Sequence, residues 1–275
     1  MNRLSSPLVL ALAVVLCAGA TALAQPKSAF SVKTRLVDAN VEIDERLKAY
    51  PGLAANCLAD AKRWIERMRA EADKERREDI ALFRDPQRWS LERSYEQRSA
   101  IGRYVSVLRT DEIDTGGGNP LIIVDALVWD REAKKRVGIR PLFKEAADNG
   151  PTMKALARLV RIAVATEKIA RDLPDPAEPD KPGANLAPET FAERDRYVTE
   201  GVQPKLAGLG PATLAPSTVV GKSAGLTFHF SPYAVGSQAE GPYTVFVAWT
   251  ELKPYLSPGG AAIFAGERPE GDKGP

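Results

Sequence analysis

This chain has little of what catalytic and metal chemistry draws on. Its 275 residues include one histidine, His229, and two cysteines, Cys17 and Cys57. Histidine-rich zinc sites and Cys/His clusters need several such ligands, so no metal and no cofactor is expected. A Ser–His–Asp triad would have to use His229. That residue is opposite in phase to Leu226, Phe228 and Phe230, where a surface or edge histidine is expected, and no catalytic residue is assigned. An excess of one charge is also missing: 38 basic residues stand against 36 acidic ones, a net +2. That is not the footprint of a nucleic-acid binder. No repeat at solenoid or propeller period is present. Gly221-Lys222-Ser223 has Pro216 where a phosphate loop needs glycine, and a strand follows it. Gly116-Gly117-Gly118 lacks the further glycine of a dinucleotide fingerprint and opens no helix.

The long apolar run lies at the N-terminus. Arg3 supplies a short positive region, Leu8 to Leu16 an apolar core, and Ala22-Leu23-Ala24 before Gln25 a small-x-small cleavage site. Residues 1–24 therefore read as a signal peptide, and the mature chain as periplasmic or secreted. A transmembrane anchor is the alternative, but the run falls short of the ~20 residues a span needs. Cys17 raises lipoprotein processing as another; that normally needs a small residue before the cysteine, and Leu16 is large. Cleavage after Ala24 removes Arg3, one of 38 basic residues, and none of the 36 acidic ones, leaving a net +1. It also leaves Cys57 alone, without an internal disulfide framework. Cys57 begins an amphipathic stretch and reads as a buried thiol. The mature chain, about 250 residues, is long enough for a sizeable core in one large or two small domains.

Periodicity places the elements. Phe30 to Val37 alternates as a strand. Leu58 to Phe83 carries Ala61, Ile65, Met68 and Ala72 on one helix face and dense mixed charge on the other, a solvated face. Trp89 to Arg98, Arg103 to Arg109 and Leu121 to Trp129 read as a strand meander. Asp111 to Pro120, DEIDTGGGNP, is a polar glycine-rich turn whose Asp111, Glu112 and Asp114 do not fit calcium-loop spacing and read as solvated. Thr152 to Arg171 is a second amphipathic helix. Five prolines between Leu173 and Thr190 make that stretch an exposed loop, Phe191 to Val198 a short helix, and residues 259–275 a disordered tail. Strands and long helices without regular βαβ alternation give an α+β fold, with antiparallel sheets covered by amphipathic helices. Two small consecutive subdomains are expected, 25–120 and 121–258.

The most informative segment is GLTFHFSPYAVGSQAEGPYTVFVAWTELKPYL, Gly225 to Leu256. Leu226, Phe228 and Phe230 alternate as a strand, and Tyr243 to Trp249 forms a second. The loop between them is too long for a two-residue hairpin. A tyrosine and two prolines on a glycine-punctuated loop suggest a shaped contact surface. Pro232 and Tyr233 are the candidate binding residues, with Tyr243 and the glycine turn at Gly117 and Asn119 as neighbours. Tyr233 could instead cap the core.

The order of these landmarks is familiar. Thr115-Gly116-Gly117-Gly118-Asn119-Pro120, a strand, Lys135-Arg136-Val137-Gly138-Ile139 and Leu142-Phe143 before a long helix resemble the RsiV-like extracytoplasmic domain. That family more often has a histidine within the glycine turn; Gly118-Asn119 stands there in this chain. The closing strand, Pro-Tyr loop, glycine and strand resemble the family's C-terminal signature. Phe30 to about Pro120 is similar to the small domain shared with the non-catalytic part of PdaC-type peptidoglycan deacetylases. The best-known member is a membrane-bound anti-sigma factor whose outer domain binds lysozyme. Only Met1 to Arg3 precede the apolar segment, so the anti-sigma role does not carry over; neither does deacetylation, with one histidine. The resemblance implies a non-enzymatic envelope module that contacts a lysozyme-like wall hydrolase. A peptidoglycan binder using Trp89, Trp129, Trp249 or Tyr255 is the alternative, and an enzyme with an unrecognised carboxylate pair a third.

Overall fold

The computed structural model describes residues 28–79 and 88–272. The signal segment 1–24, Cys17 and residues 80–83 of the expected first helix lie outside them. Alternating apolar residues build the first strands: β1 (Ser28–Lys33), β2 (Val37–Ile43), β3 (Trp89–Ile101), β4 (Tyr104–Asp114), β5 (Leu121–Asp130) and β6 (Lys135–Val137). They form one six-stranded sheet in that order. All neighbours pair antiparallel except β2 and β3, which run parallel. A parallel pair needs a crossover, and α1 (Pro51–Glu78) provides it. Pro51 sits at the first helical turn, where its missing N–H costs nothing. The expected strand Phe30 to Val37 divides at the turn after Lys33, where Thr34 Oγ1 accepts from Val37 N.

β4 and β5 pair from Tyr104↔Asp130 to Ile113↔Leu121, so the sheet runs continuously through the boundary expected at 120. One face of this sheet packs on α1 around Leu91, Val105, Val107, Leu127, Trp129, Cys57, Trp64 and Ile65. Cys57 is buried, as its place on the helix suggests, and burial pushes its thiol up to about 12.

The second core forms around α2 (Pro151–Ala170) and a three-stranded sheet of β9 (Ala212–Leu214), β10 (Gly225–Phe230) and β11 (Tyr243–Ala248), in the order β11-β10-β9. β9 ties the small sheet to the large one: Ser99 Oγ donates to Leu214 O at 2.6 Å and Leu214 N donates to Ser106 Oγ at 3.0 Å. Ser106 points away from Val105 and Val107 by strand alternation, so the sheets meet on the face opposite α1. The architecture is α+β, as expected.

Two segments depart from the sequence expectation. The proline-rich stretch holds a small ribbon, β7 (Pro174–Asp175) and β8 (Glu178–Pro182), followed by α3 (Pro188–Arg194) and α4 (Arg196–Gly201). Proline is tolerated here because the ribbon is all edge. The tail expected to be disordered from 259 onward is instead packed as far as 272. The helical turn Pro258–Ala261 leads to Phe264, which is buried and bridges Ser223. Trp249 Nε1 donates to Gly266 O, and Arg268 stacks over Phe246. Polar composition hid one buried aromatic anchor.

Candidate functional site

The loop 232–241 leaves β10 after Phe230 and returns at Tyr243, residues paired with each other in the sheet. Its path is fixed from beneath. Val235 is buried, and Ala234 O lies so close to Gly201 that a Cβ there would stand 1.8 Å away. Ser237 and Glu240 close a capping box around a short 3-10 turn. Glu240 Oε2 also accepts from Tyr243 Oη and lies 3.1 Å from Lys168 Nζ. Arg171 donates to Glu240 O at 2.8 Å and to Pro242 O at 3.1 Å. Lys168 itself is buried and donates to Asp195 Oδ2 at 2.7 Å. Burial raises the Glu240 carboxyl, but Tyr243, the Ser237 N–H and Lys168 together hold it below the usual carboxylate range. Tyr243 moves the other way: burial and the Glu240 carboxylate push its phenol up.

On this framework Tyr233 is displayed. Its φ is +67°, a left-handed conformation that costs a non-glycine residue about 1–2 kcal/mol. Its side chain is 58% exposed. Its hydroxyl donates to Gln238 Oε1 at 2.7 Å, which fixes the ring's direction. Tyr233 therefore does not cap the core, one of the two fates open to it. Tyr243 does: it is 1% exposed, a core residue with Arg171 stacked 4.0 Å from its ring, and so not the contact neighbour it was expected to be. Pro232 is half-buried beside Tyr233. Ser231 Oγ accepts from Val124 N, joining the loop to β5 just past the glycine turn. Gly117 and Asn119 are exposed in that turn, where Gly116 and Gly118 adopt positive φ.

His229 is not the surface or edge residue its phase suggests. It lies in the central strand β10 and is 0% exposed. Its ring meets Thr213 Oγ1 at 3.0 Å and Thr244 Oγ1 at 3.4 Å. Burial, with Arg98 and Arg268 nearby, pushes its pKa down to about 3. Both faces of β10 are covered, so alternation reports two buried faces rather than one wet one. Of the aromatic residues weighed for sugar stacking, Trp89 and Trp129 are buried; Trp249 and Tyr255 are half-buried.

Asp111 is a further surprise. It is no solvated turn residue but a buried one, bound bidentately by Arg93 with both contacts at 2.6 Å. Glu112 and Asp114 do face solvent. Arg93 also donates to Asp60 Oδ2 at 2.9 Å and stacks 4.2 Å over Trp64; Tyr95 Oη donates to the same Asp60 oxygen. Burial raises the Asp60 carboxyl, but Tyr95, Arg93 and Arg109 bring it below its ordinary value. Sequence reasoning missed this cluster. Its only signal was charge placed in phase with apolar residues: Arg93 between Leu91 and Tyr95, and Asp111 two residues before Ile113.

The fold is an α+β scaffold whose loop 232–241 is held from beneath and displays Tyr233. Among the described residues no group of histidine, cysteine and acid side chains could hold a metal ion, and no helix is long and apolar enough to cross a membrane. No family model matches the chain and no curated protein matches it. Among solved structures it is similar to a DUF3298 family protein from Pseudomonas aeruginosa PAO1, at TM-score 0.48 and 13% identity, over 84% of this chain and 88% of that one. A member of the DUF3298 family from Bacteroides fragilis NCTC 9343 is similar at TM-score 0.43 and 13% identity, over 85% of this chain and 96% of that one.

Proposed function

We propose that this chain is an exported, non-enzymatic binding module of the cell envelope, with loop 232–241 as its contact surface and a lysozyme-like wall hydrolase as its partner. One observation carries the reading: Tyr233 is held exposed in a strained backbone conformation on a loop clamped from below by Lys168 and Arg171. Strain kept in place by its surroundings collects at binding and switching sites. An exposed, oriented tyrosine offers contact area at small entropic cost, and such aromatics dominate many interfaces. The export signal and the resemblance of strand, Pro-Tyr, glycine and strand supply the location and the partner class.

The test is a binding titration of the full chain against lysozyme. Binding in the micromolar range is expected, and Tyr233→Ala should weaken it by at least about thirtyfold, the effect of a ~2 kcal/mol hot spot. An absence of binding at micromolar lysozyme would remove the hydrolase. Binding that Tyr233→Ala leaves unchanged would remove the loop.

A further inference from the structure

Strand alternation brings Arg93 and Tyr95 of β3, Arg109 and Asp111 of β4 and Asp125 of β5 onto the one sheet face that lies beneath α1. There α1 adds Asp60 and Arg63, and Arg136 reaches across from β6. The result is graded. The inner pairs are short: Arg93 to Asp111 at 2.6 Å and Arg93 to Asp60 at 2.9 Å. Every outer pair is long. Arg109 stands 3.3 Å from Asp125, 3.5 Å from Asp111 and 3.7 Å from Asp60. Arg136 stands 3.5 Å from Asp125, and Arg63 3.6 Å from Asp60. Four guanidinium groups thus share three carboxylates, a local net charge of +1. Each guanidinium carries five N–H donors; Arg136 Nη2 donates to Ala126 O at 2.8 Å, and the long contacts leave several others unused. Arg109 Nε is buried and makes no hydrogen bond; it faces Asp111 Oδ1 at 3.5 Å.

Three of these guanidinium groups, those of Arg63, Arg109 and Arg136, line one space. Between α1 and the β5–β6 edge lies a cleft of about 200 Å³, with Asn56, Asp60, Arg63, Arg109, Asp125 and Arg136 on its walls. A cavity of about 150 Å³ already admits a benzene-sized molecule, so this one has room for a ligand of amino-acid size. We propose that this cleft binds a small monocarboxylate. A carboxylate matches the guanidinium fork with two parallel hydrogen bonds. One negative charge neutralises the surplus; a dianion would overturn it beside Asp60 and Asp125. None of these residues belongs to loop 232–241, so the site stands apart from the contact surface proposed above.

The experiment is calorimetric titration of the full chain with three probes: N-acetylalanine, its uncharged amide, and inorganic phosphate. Saturable heat with N-acetylalanine and none with the amide is the expected result. Arg109→Gln should abolish it, and Arg136→Gln should weaken it about tenfold. Arg136 is 55% exposed, so that variant reports even if Arg109→Gln does not fold. Equal heats from acid and amide, or affinity unchanged in Arg136→Gln, would overturn the site. Tighter binding of phosphate than of N-acetylalanine would overturn the ligand class. Tyr233→Ala, which tests the loop, should leave the N-acetylalanine titration unchanged.

Discussion

Lys168 and Arg93 are both buried cations that each bind two acids, and their surroundings could hardly differ more. Lys168 projects from α2 onto Asp195 and Glu240, with the rings of Tyr197 and Tyr243 within 5.8 Å. Its ammonium is a compact charge with three donors, and the neighbours close around it. Arg93 meets Asp111 and Asp60 just as tightly, but Asp60 passes the contact on to Arg63 and Arg109, and Asp125 passes it to Arg136. The contacts lengthen toward solvent. The lesson is that similar ion-pair chemistry becomes a clamp when sealed and a ligand-ready surface when it opens into a cleft.

The largest test of that contrast removes the cation from the sealed end. Lys168→Met leaves buried Asp195 and half-buried Glu240 without their shared counter-charge, and should cost about 3–5 kcal/mol of unfolding free energy. Arg136→Gln, at the open end, should cost only about 0–1 kcal/mol. Equal losses in urea denaturation would erase the distinction.

The sealed half also carries its own pH probe. His229 has a folded pKa of about 3 against an ordinary 6.5. The unfolded chain takes up the proton first as pH falls, so stability is present above 6.5 and drains away between 6.5 and about 3. The slope should approach about 1.4 kcal/mol per pH unit toward pH 5. Over pH 6 to 5, above the ordinary carboxyl values, His229→Gln should flatten the curve; an unchanged slope would show that this histidine is not held neutral.

The smallest stability effect belongs to the loop. Tyr233→Gly relieves a left-handed backbone worth about 1–2 kcal/mol while losing the Gln238 hydrogen bond of about 1 kcal/mol. Thermal unfolding should shift little or upward. A marked loss would mean that the ring supports the fold and is not there for display.

Much of the scaffold was legible in the residues. The period of Ala61, Ile65, Met68 and Ala72 marked α1, and that of Met153, Leu156, Val160 and Val164 marked α2. Alternating apolar residues marked the strands from Trp89 to Trp129. The displayed Pro-Tyr loop was legible too, because its length and glycines rule out a tight hairpin. The roles of single side chains within it were not. Tyr233 and Tyr243 look alike in the sequence, and only the positive φ at one and the paired register of the other separate them. His229 alternates with apolar neighbours as an edge residue would, yet β9 and β11 flank it on both sides. Phe264 sits in a glycine-rich tail, and its burial depends on the bridge to Ser223.

What the chain settled by itself is what local periodicity and composition can settle: two amphipathic helices, a strand meander, a scarcity of metal ligands and an apolar N-terminal run. These follow from the spacing of neighbours along one strand or one turn, which needs no partner. What only the tertiary structure decided is which charges go inside. Asp60 and Arg93 are 33 residues apart, and Lys168 and Asp195 are 27. A buried charge is tolerated only where an opposite one meets it at hydrogen-bond distance. That meeting is made by the crossover of α1 over the sheet and by the return of α4 against α2.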